Sequence, residues 1–394
     1  MTGRILSGCG AILWMLMLAG LLGCSSGATA RAGEHVFVLK EHLDRTWRDQ
    51  MLTYEFEAEA DACHPESVRM EGPDGPMPVQ LSEVENWEGT PFVRRAKVSF
   101  YVKELPPLTR QRYVLQYGPS AAGDPVESAL TVETDGELTQ ITTDRIGVRL
   151  LVGEREFDEP VPVGDVPAPM QGLRLLDGTW TGGGSLYGEA AVTSYEAQLT
   201  ASGPVFAEVQ TAYRFADGNT ALYRFRVPAG DRAVEIETRS QEHHPETGWE
   251  LTLGGDGVSF PEATLVPFRA YKASEVPLKL KPSDDPFAEL SPWAGWWWSR
   301  FPTLLRLETN AAAGQVHLNS RDAGAWVEPR PLAEIADFRR WGAGSMGWIW
   351  GRMHAARLPL FARRNGAVTI RSNHRAGVRR WTLSLNEDGE GQFE

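Results

Sequence analysis

The sequence predicts an all-β protein, a small antiparallel β-sandwich followed by a larger one, with very little helix. Three observations carry that expectation. Short β-branched and aromatic runs alternate with Gly, Pro, Asn and Asp turns along most of the 394 residues. Apolar spacing at the helical period is nearly absent. Strong hairpin signals, Asp217-Gly218-Asn219 and Pro228-Ala229-Gly230-Asp231, sit between strand-like runs.

The elements follow in order. Residues 34–117 form the first module. In it Ala96, Val98, Phe100 and Val102 share one face of a strand, with Lys97, Ser99 and Tyr101 on the other. Tyr113–Tyr117 is a second strand. Residues 118–127, rich in Gly, Pro and Ala, read as a linker. The large sandwich occupies residues 128–386, with strands at Val205–Val209, Ala221–Val227, Ala233–Thr238 and Trp381–Asn386. The one helix expected is short, around Leu332–Arg340, with Pro331 near its first turn. Gly182-Gly183-Gly184-Ser185 and Gly342–Gly347 read as flexible loops, since no Lys-Ser/Thr follows to make a phosphate loop. Residues 387–394 are either a solvated acidic tail or the cut end of a longer chain.

Ahead of these modules, residues 1–23 have the form of a signal peptide. Arg4 is followed by the apolar run Ala11–Ala19, too short to span a bilayer. The ending Leu21-Leu22-Gly23-Cys24 resembles the lipobox of bacterial lipoproteins. Leu22 is bulkier than the residue usual just before the Gly-Cys pair. The resemblance implies that Cys24 is acylated and becomes the mature N-terminus, with residues 24–33 as a lipidated tether. Ser25 after the cysteine resembles the outer-membrane signal. The expectation is therefore an exported lipoprotein of the cell envelope, held at the membrane through its lipid; an ordinary cleaved signal would leave it secreted and soluble.

The net charge of −13 hides an asymmetry. From Arg330 to Arg380 there are eleven Arg, no Lys and two acids, which leaves −18 on residues 1–329. An acidic body argues against nucleic acid as a partner. An all-Arg zone suits carboxylate or sulfate recognition, or docking on the acidic half. Cys9 leaves with the signal and Cys24 carries the lipid, so Cys63 stands alone, with no disulfide framework and no thiolate metal site. No cofactor is expected.

Of fourteen Trp, nine lie from Trp293 onward. Trp296, Trp297 and Trp298 with Arg300 form one group; Trp348, Trp350 and Arg352 with His354 form another. Flat indoles suit the C–H faces of sugars, and guanidinium forks suit uronate carboxylates. The same Trp residues serve equally as core. Candidate bases are His243, beside His244 and Pro245 in what reads as a turn, His354, and Tyr187 beside a glycine-rich stretch. Adjacent His side chains on a strand point to opposite faces, a poor arrangement for a metal, so no metal is expected. Asp284-Asp285 and Asp322 read as turn residues. No Gly-x-Ser-x-Gly elbow is present.

From Gly203-Pro204 through Val205–Val209, Tyr213, Ala229-Gly230 and Ala233–Ile236, the chain resembles the large β-sandwich of secreted polysaccharide lyases and related glycosidases. The exo-rhamnogalacturonan-lyase-like group is the nearest in pattern. Val98–Phe100 through Leu105-Pro106-Pro107-Leu108 to Arg112-Tyr113 is similar to the small sandwich preceding it there. The resemblance implies a supersandwich-like second module. It departs in lacking the helical toroid of such lyases, so no catalytic residue is carried over. Three readings stay open: a polysaccharide-binding protein or non-catalytic front of a degrading enzyme, a structural protein of the envelope, and a uronate lyase. In the last, Arg300 or Arg352 would neutralise the carboxylate while His354, His243 or Tyr187 takes the proton.

Overall fold

A computed structural model describes residues 32–121 apart from 43 and 45, 128–255 apart from 241–243, residues 257–260, and strand segments between 262 and 386. The all-β expectation holds. The strands of the first module are β1 (Gly33–Lys40), β2 (Trp47–Glu57), β3 (Arg69–Gly72), β4 (Gly75–Met77), β5 (Val79–Asn86), β6 (Val93–Leu105) and β7 (Arg110–Tyr117). Then come β8 (Thr131–Asp135), β9 (Leu138–Thr142), β10 (Gly147–Leu151), β11 (Gly153–Pro162), β12 (Met170–Arg174), β13 (Trp180–Thr181), β14 (Gly183–Tyr187) and β15 (Ala191–Ser202). The central strands are β16 (Phe206–Phe215), β17 (Thr220–Pro228), β18 (Ala233–Ser240), β19 (His244–Leu253), β20 (Glu262–Pro267) and β21 (Val276–Pro277). Last are β22 (Pro302–Glu308), β23 (Gln315–Ser320), β24 (Leu360–Arg364), β25 (Ala367–His374) and β26 (Gly377–Asn386).

In the small sandwich, a sheet of order β1-β7-β3-β4 faces one of order β2-β6-β5. Its core is set by period-two burial. Ala96, Val98, Phe100 and Val102 of β6 are at most 2% exposed and meet Phe37 and Leu39 of β1. Aromatic rings tile this core: Phe37 lies 5.0 Å from Tyr54 and 5.5 Å from Phe100. Cys63 is buried here too, and burial pushes its thiol up to about 11.

The large module has a ten-stranded antiparallel sheet, β11-β15-β16-β17-β18-β26-β23-β22-β20-β21. Two smaller sheets accompany it, β13-β12-β10-β9-β8 and β14-β19-β25-β24. One continuous core joins Val209, Tyr213, Tyr223, Phe225, Ile236 and Leu383 of the long sheet to Val148, Leu173 and Trp249 of the others. The Asp217–Asn219 hairpin forms as expected: Gly218 takes φ +87° and Asp217 Oδ1 accepts from the Asn219 N–H at 3.0 Å. Strand β26 inserts beside β18, so the register sets Arg380 opposite Glu237.

Two local readings are corrected. Gly182–Ser185 is no flexible loop; it leads into β14, paired with β19 from Gly183 to Tyr187. The glycine is there for close approach, because a Cβ on Gly184 would stand 1.9 Å from the Met170 carbonyl oxygen. The turn expected at Pro245 is likewise replaced. His244–Leu253 is a strand, and a register shift between His244 and Gly248 absorbs Pro245 in a bulge. The expected helix at Leu332–Arg340, the Gly342–Gly347 loop, the Asp284-Asp285 and Asp322 turns, and the acidic tail lie outside the described residues.

Candidate functional site

The two sandwiches meet along a seam locked by one side chain. Gln80 of β5 is 7% exposed, and its Oε1 accepts from the backbone N–H of Val205 at 3.0 Å and of Phe206 at 2.9 Å. Gly203 presses on the same amide, where a Cβ would fall 2.5 Å from Gln80 Cδ. These two donors precede the first ladder bonds of β16, so the seam satisfies groups that the sheet leaves open.

Beside this lock lies a cleft of about 420 Å³, within the size range of small-molecule sites. The β3–β4 hairpin, Gly72-Pro73-Asp74-Gly75-Pro76-Met77, makes one wall; Gly75 turns it at φ +110°. Its prolines and methionine give an apolar face, rigid at Pro73 and Pro76 and adaptable at Met77. The opposite wall comes from the large module, through the β9–β10 turn at Asp144-Arg145 and the backbone at Pro204-Val205 and Ala229-Gly230.

Polar groups converge between the walls. Arg145 reaches across the seam to Asp49 at 3.9 Å and also sits 3.7 Å from Asp144. Asp49 holds φ +52°, a left-handed backbone that Asp tolerates at some strain. The Tyr101 ring lies against Gly230, where a Cβ would approach a ring carbon to 2.4 Å. The Tyr101 hydroxyl is shut from solvent and has no hydrogen-bond partner among the described residues. Burial, then the negative charges of Asp231 and Asp49, push its ionisation far above the ordinary phenol range, against a smaller pull from Arg145. The Tyr113 hydroxyl donates to Gln111 Oε1 at 2.7 Å, and burial with Asp74 nearby raises it to about 12. Both phenols are therefore neutral donors, not bases. Lys103 faces the cleft with no ion-pair partner among the described residues, while Glu104 is paired with Arg48 at 3.1 Å.

Of the site residues expected from the sequence, Tyr187 alone is described. It sits in β14, half-buried, opposite Gly248, and it does not line the cleft. Its hydroxyl is screened from solvent, beside Tyr223. Trp296, Trp297, Trp298, Arg300, Trp348, Trp350, Arg352, His243, His354 and Cys24 lie outside the described residues. No group of three or more potential metal ligands occurs among the described residues. Sequence reasoning missed the cleft because its walls come from segments far apart in the chain. The one local signal was the Gly-Pro-Asp-Gly-Pro-Met-Pro run at 72–78, which reads only as a turn.

Neither a protein-family model nor a curated protein sequence matches this chain. Among solved structures it is similar to a glycosyl hydrolase family 38 protein from Enterococcus faecalis. The TM-score there is 0.48 at 11% identity, over 91% of this chain and 45% of that one. It is also similar to an α-mannosidase from Enterococcus faecalis V583, with TM-score 0.47 at 11% identity, over 91% of this chain and 43% of that one. The chain thus spans less than half the length of either structure.

Proposed function

We propose that this chain is an exported, lipid-anchored, carbohydrate-associated protein that holds a saccharide in the seam between its two sandwiches. The cleft is the observation that carries the reading. A sugar ring has an apolar C–H face and a rim of hydroxyls that both donate and accept. The Pro73–Met77 wall suits the face, and Lys103 and Arg145, with Asp49, Asp74 and Gln111, supply donors and acceptors for the rim. The Leu21–Cys24 pattern supports the address, with Cys24 as the acylated residue.

The test is calorimetric titration of the full chain in mild detergent against neutral and uronate oligosaccharides. The proposal expects one class to bind, and Lys103→Ala with Asp74→Ala to weaken it at least tenfold. Heat from no oligosaccharide, or binding indifferent to both substitutions, overturns it. The Gln80 lock favours a second reading, in which the seam is only a structural joint; that reading expects no binding at all. For the address, fatty-acid labelling of the expressed chain is expected to vanish in Cys24→Ser and would contradict the anchor if it persisted.

A further inference from the structure

The outer face of the sheet β13-β12-β10-β9-β8 carries a second set of groups, contiguous with the seam. Register sets Gln140, Arg149, Gly172, Arg174 and Trp180 on that face. The side chains of Val148, Leu150 and Leu173 point the other way into the core. Arg149 and Trp180 both lie over Gly172, where a Cβ would make ordinary contact at 3.6 Å from Arg149 Cδ and 3.7 Å from Trp180 Cε3. The Arg149 guanidinium stands 4.2 Å from the centre of the Trp180 ring, and its Nε donates to Gln140 Oε1 at 3.2 Å. The fork is thus held from two sides, with no hydrogen bond to its terminal nitrogens among the described residues.

Arg174 occupies the diagonal position across β10 and β12, roughly 7–8 Å away by sheet geometry. Its Nη1 donates to the Thr143 carbonyl at 3.3 Å, two residues before Arg145 of the cleft. Neither Arg149 nor Arg174 has a carboxylate within ion-pair distance among the described residues. The acids on this face, Glu133 and Asp135, belong to the edge strand β8, two strands from Arg149. Asp177 in the β12–β13 turn accepts from the Thr179 N–H instead. Two unpaired, pre-oriented guanidinium groups on a sheet face match planar carboxylates in charge and shape.

We infer that this face reads the carboxylates of a uronate-bearing saccharide whose neighbouring residues occupy the seam cleft, with Arg149 and Arg174 as the two forks. The inference rests on the saccharide reading of the cleft and names its ligand class. It predicts charge selectivity at residues that the cleft itself does not contain.

The experiment titrates the full chain with an oligogalacturonate, with the same oligomer after reduction of its carboxyl groups, and with a sulfated oligosaccharide of equal length. The uronate oligomer is expected to bind at least tenfold more tightly than its reduced counterpart. Arg149→Gln with Arg174→Gln abolishes that preference, bringing the uronate oligomer's affinity down to that of the reduced one. Arg149→Lys, which keeps the charge and loses the fork, loses most of the preference and guards against a folding artefact. Equal binding of both oligomers by the native chain, or a preference that survives in the double variant, overturns the inference while the saccharide reading stands. Tighter binding of the sulfated oligomer overturns the choice of carboxylate. If no oligomer binds, both readings fall together.

Discussion

Gln80→Met is the most informative single perturbation of the seam. Methionine keeps the length and the packing of the side chain but removes the acceptor. The N–H groups of Val205 and Phe206, bonded to Gln80 Oε1 at 3.0 and 2.9 Å, then lose their partner in a buried place. An unsatisfied buried donor costs about 1–3 kcal/mol, so two cost about 2–6 kcal/mol together, with relaxation favouring the lower end. That cost falls on the contact between modules rather than on either core. Urea unfolding followed by both fluorescence and far-ultraviolet circular dichroism is therefore expected to lose coincidence, the two sandwiches unfolding in separate steps. Saccharide binding is expected to weaken in the same variant, since the lock fixes the backbone at Val205 that walls the cleft. A variant that unfolds within about 0.5 kcal/mol of the native chain, with coincident probes, would refute the argument.

Other consequences concern the cores. Gly184→Ala drives a methyl group onto the Met170 carbonyl at 1.9 Å, so it is expected to destabilise the large module by about 3 kcal/mol, read from the urea midpoint, while leaving the small one intact. Cys63, with its thiol raised to about 11, is expected to resist a thiol reagent at pH 8 in the native chain and to react at once in denaturant. His35 packs 4.7 Å from Phe37 with no partner for Nε2 among the described residues, and burial lowers its pKa below the ordinary 6.5. The unfolded chain then takes up this proton first as pH falls, so His35 costs stability progressively below about pH 6.5. His35→Phe is expected to flatten that part of the pH profile; an unchanged slope between pH 7 and 5 would rule the effect out.

The fold class was legible because strands write their faces at period two. Ala96, Val98, Phe100 and Val102 alternate in the sequence and are all buried in the structure. The hairpin at Asp217–Asn219 was equally plain, since its turn chemistry is local. Gly182–Ser185 misled because glycine serves flexible loops and close backbone contacts alike, and only the position of Met170 distinguishes them. Pro245 misled for a related reason: a bulge can host a proline that a regular ladder cannot. The cleft was illegible because β2, the β3–β4 hairpin, the β9–β10 turn and Gly230 converge only in three dimensions. The pairing of indole with guanidinium sought in the sequence also occurs at Arg149 and Trp180, whereas the dense Trp clusters beyond residue 293 that drew attention lie outside the described residues. Arg149 and Trp180 lie in different strands of one sheet, joined by a cross-sheet stack that no sequence spacing announces.

The central claim is that a saccharide sits in the seam, and hydrogen–deuterium exchange of the full chain with and without the best-binding oligosaccharide tests it most directly. Protection of backbone amides in residues 72–77 and 144–145 on addition of the sugar is the predicted result. Binding that leaves both segments unprotected, or protects only residues remote from the seam, would contradict the account.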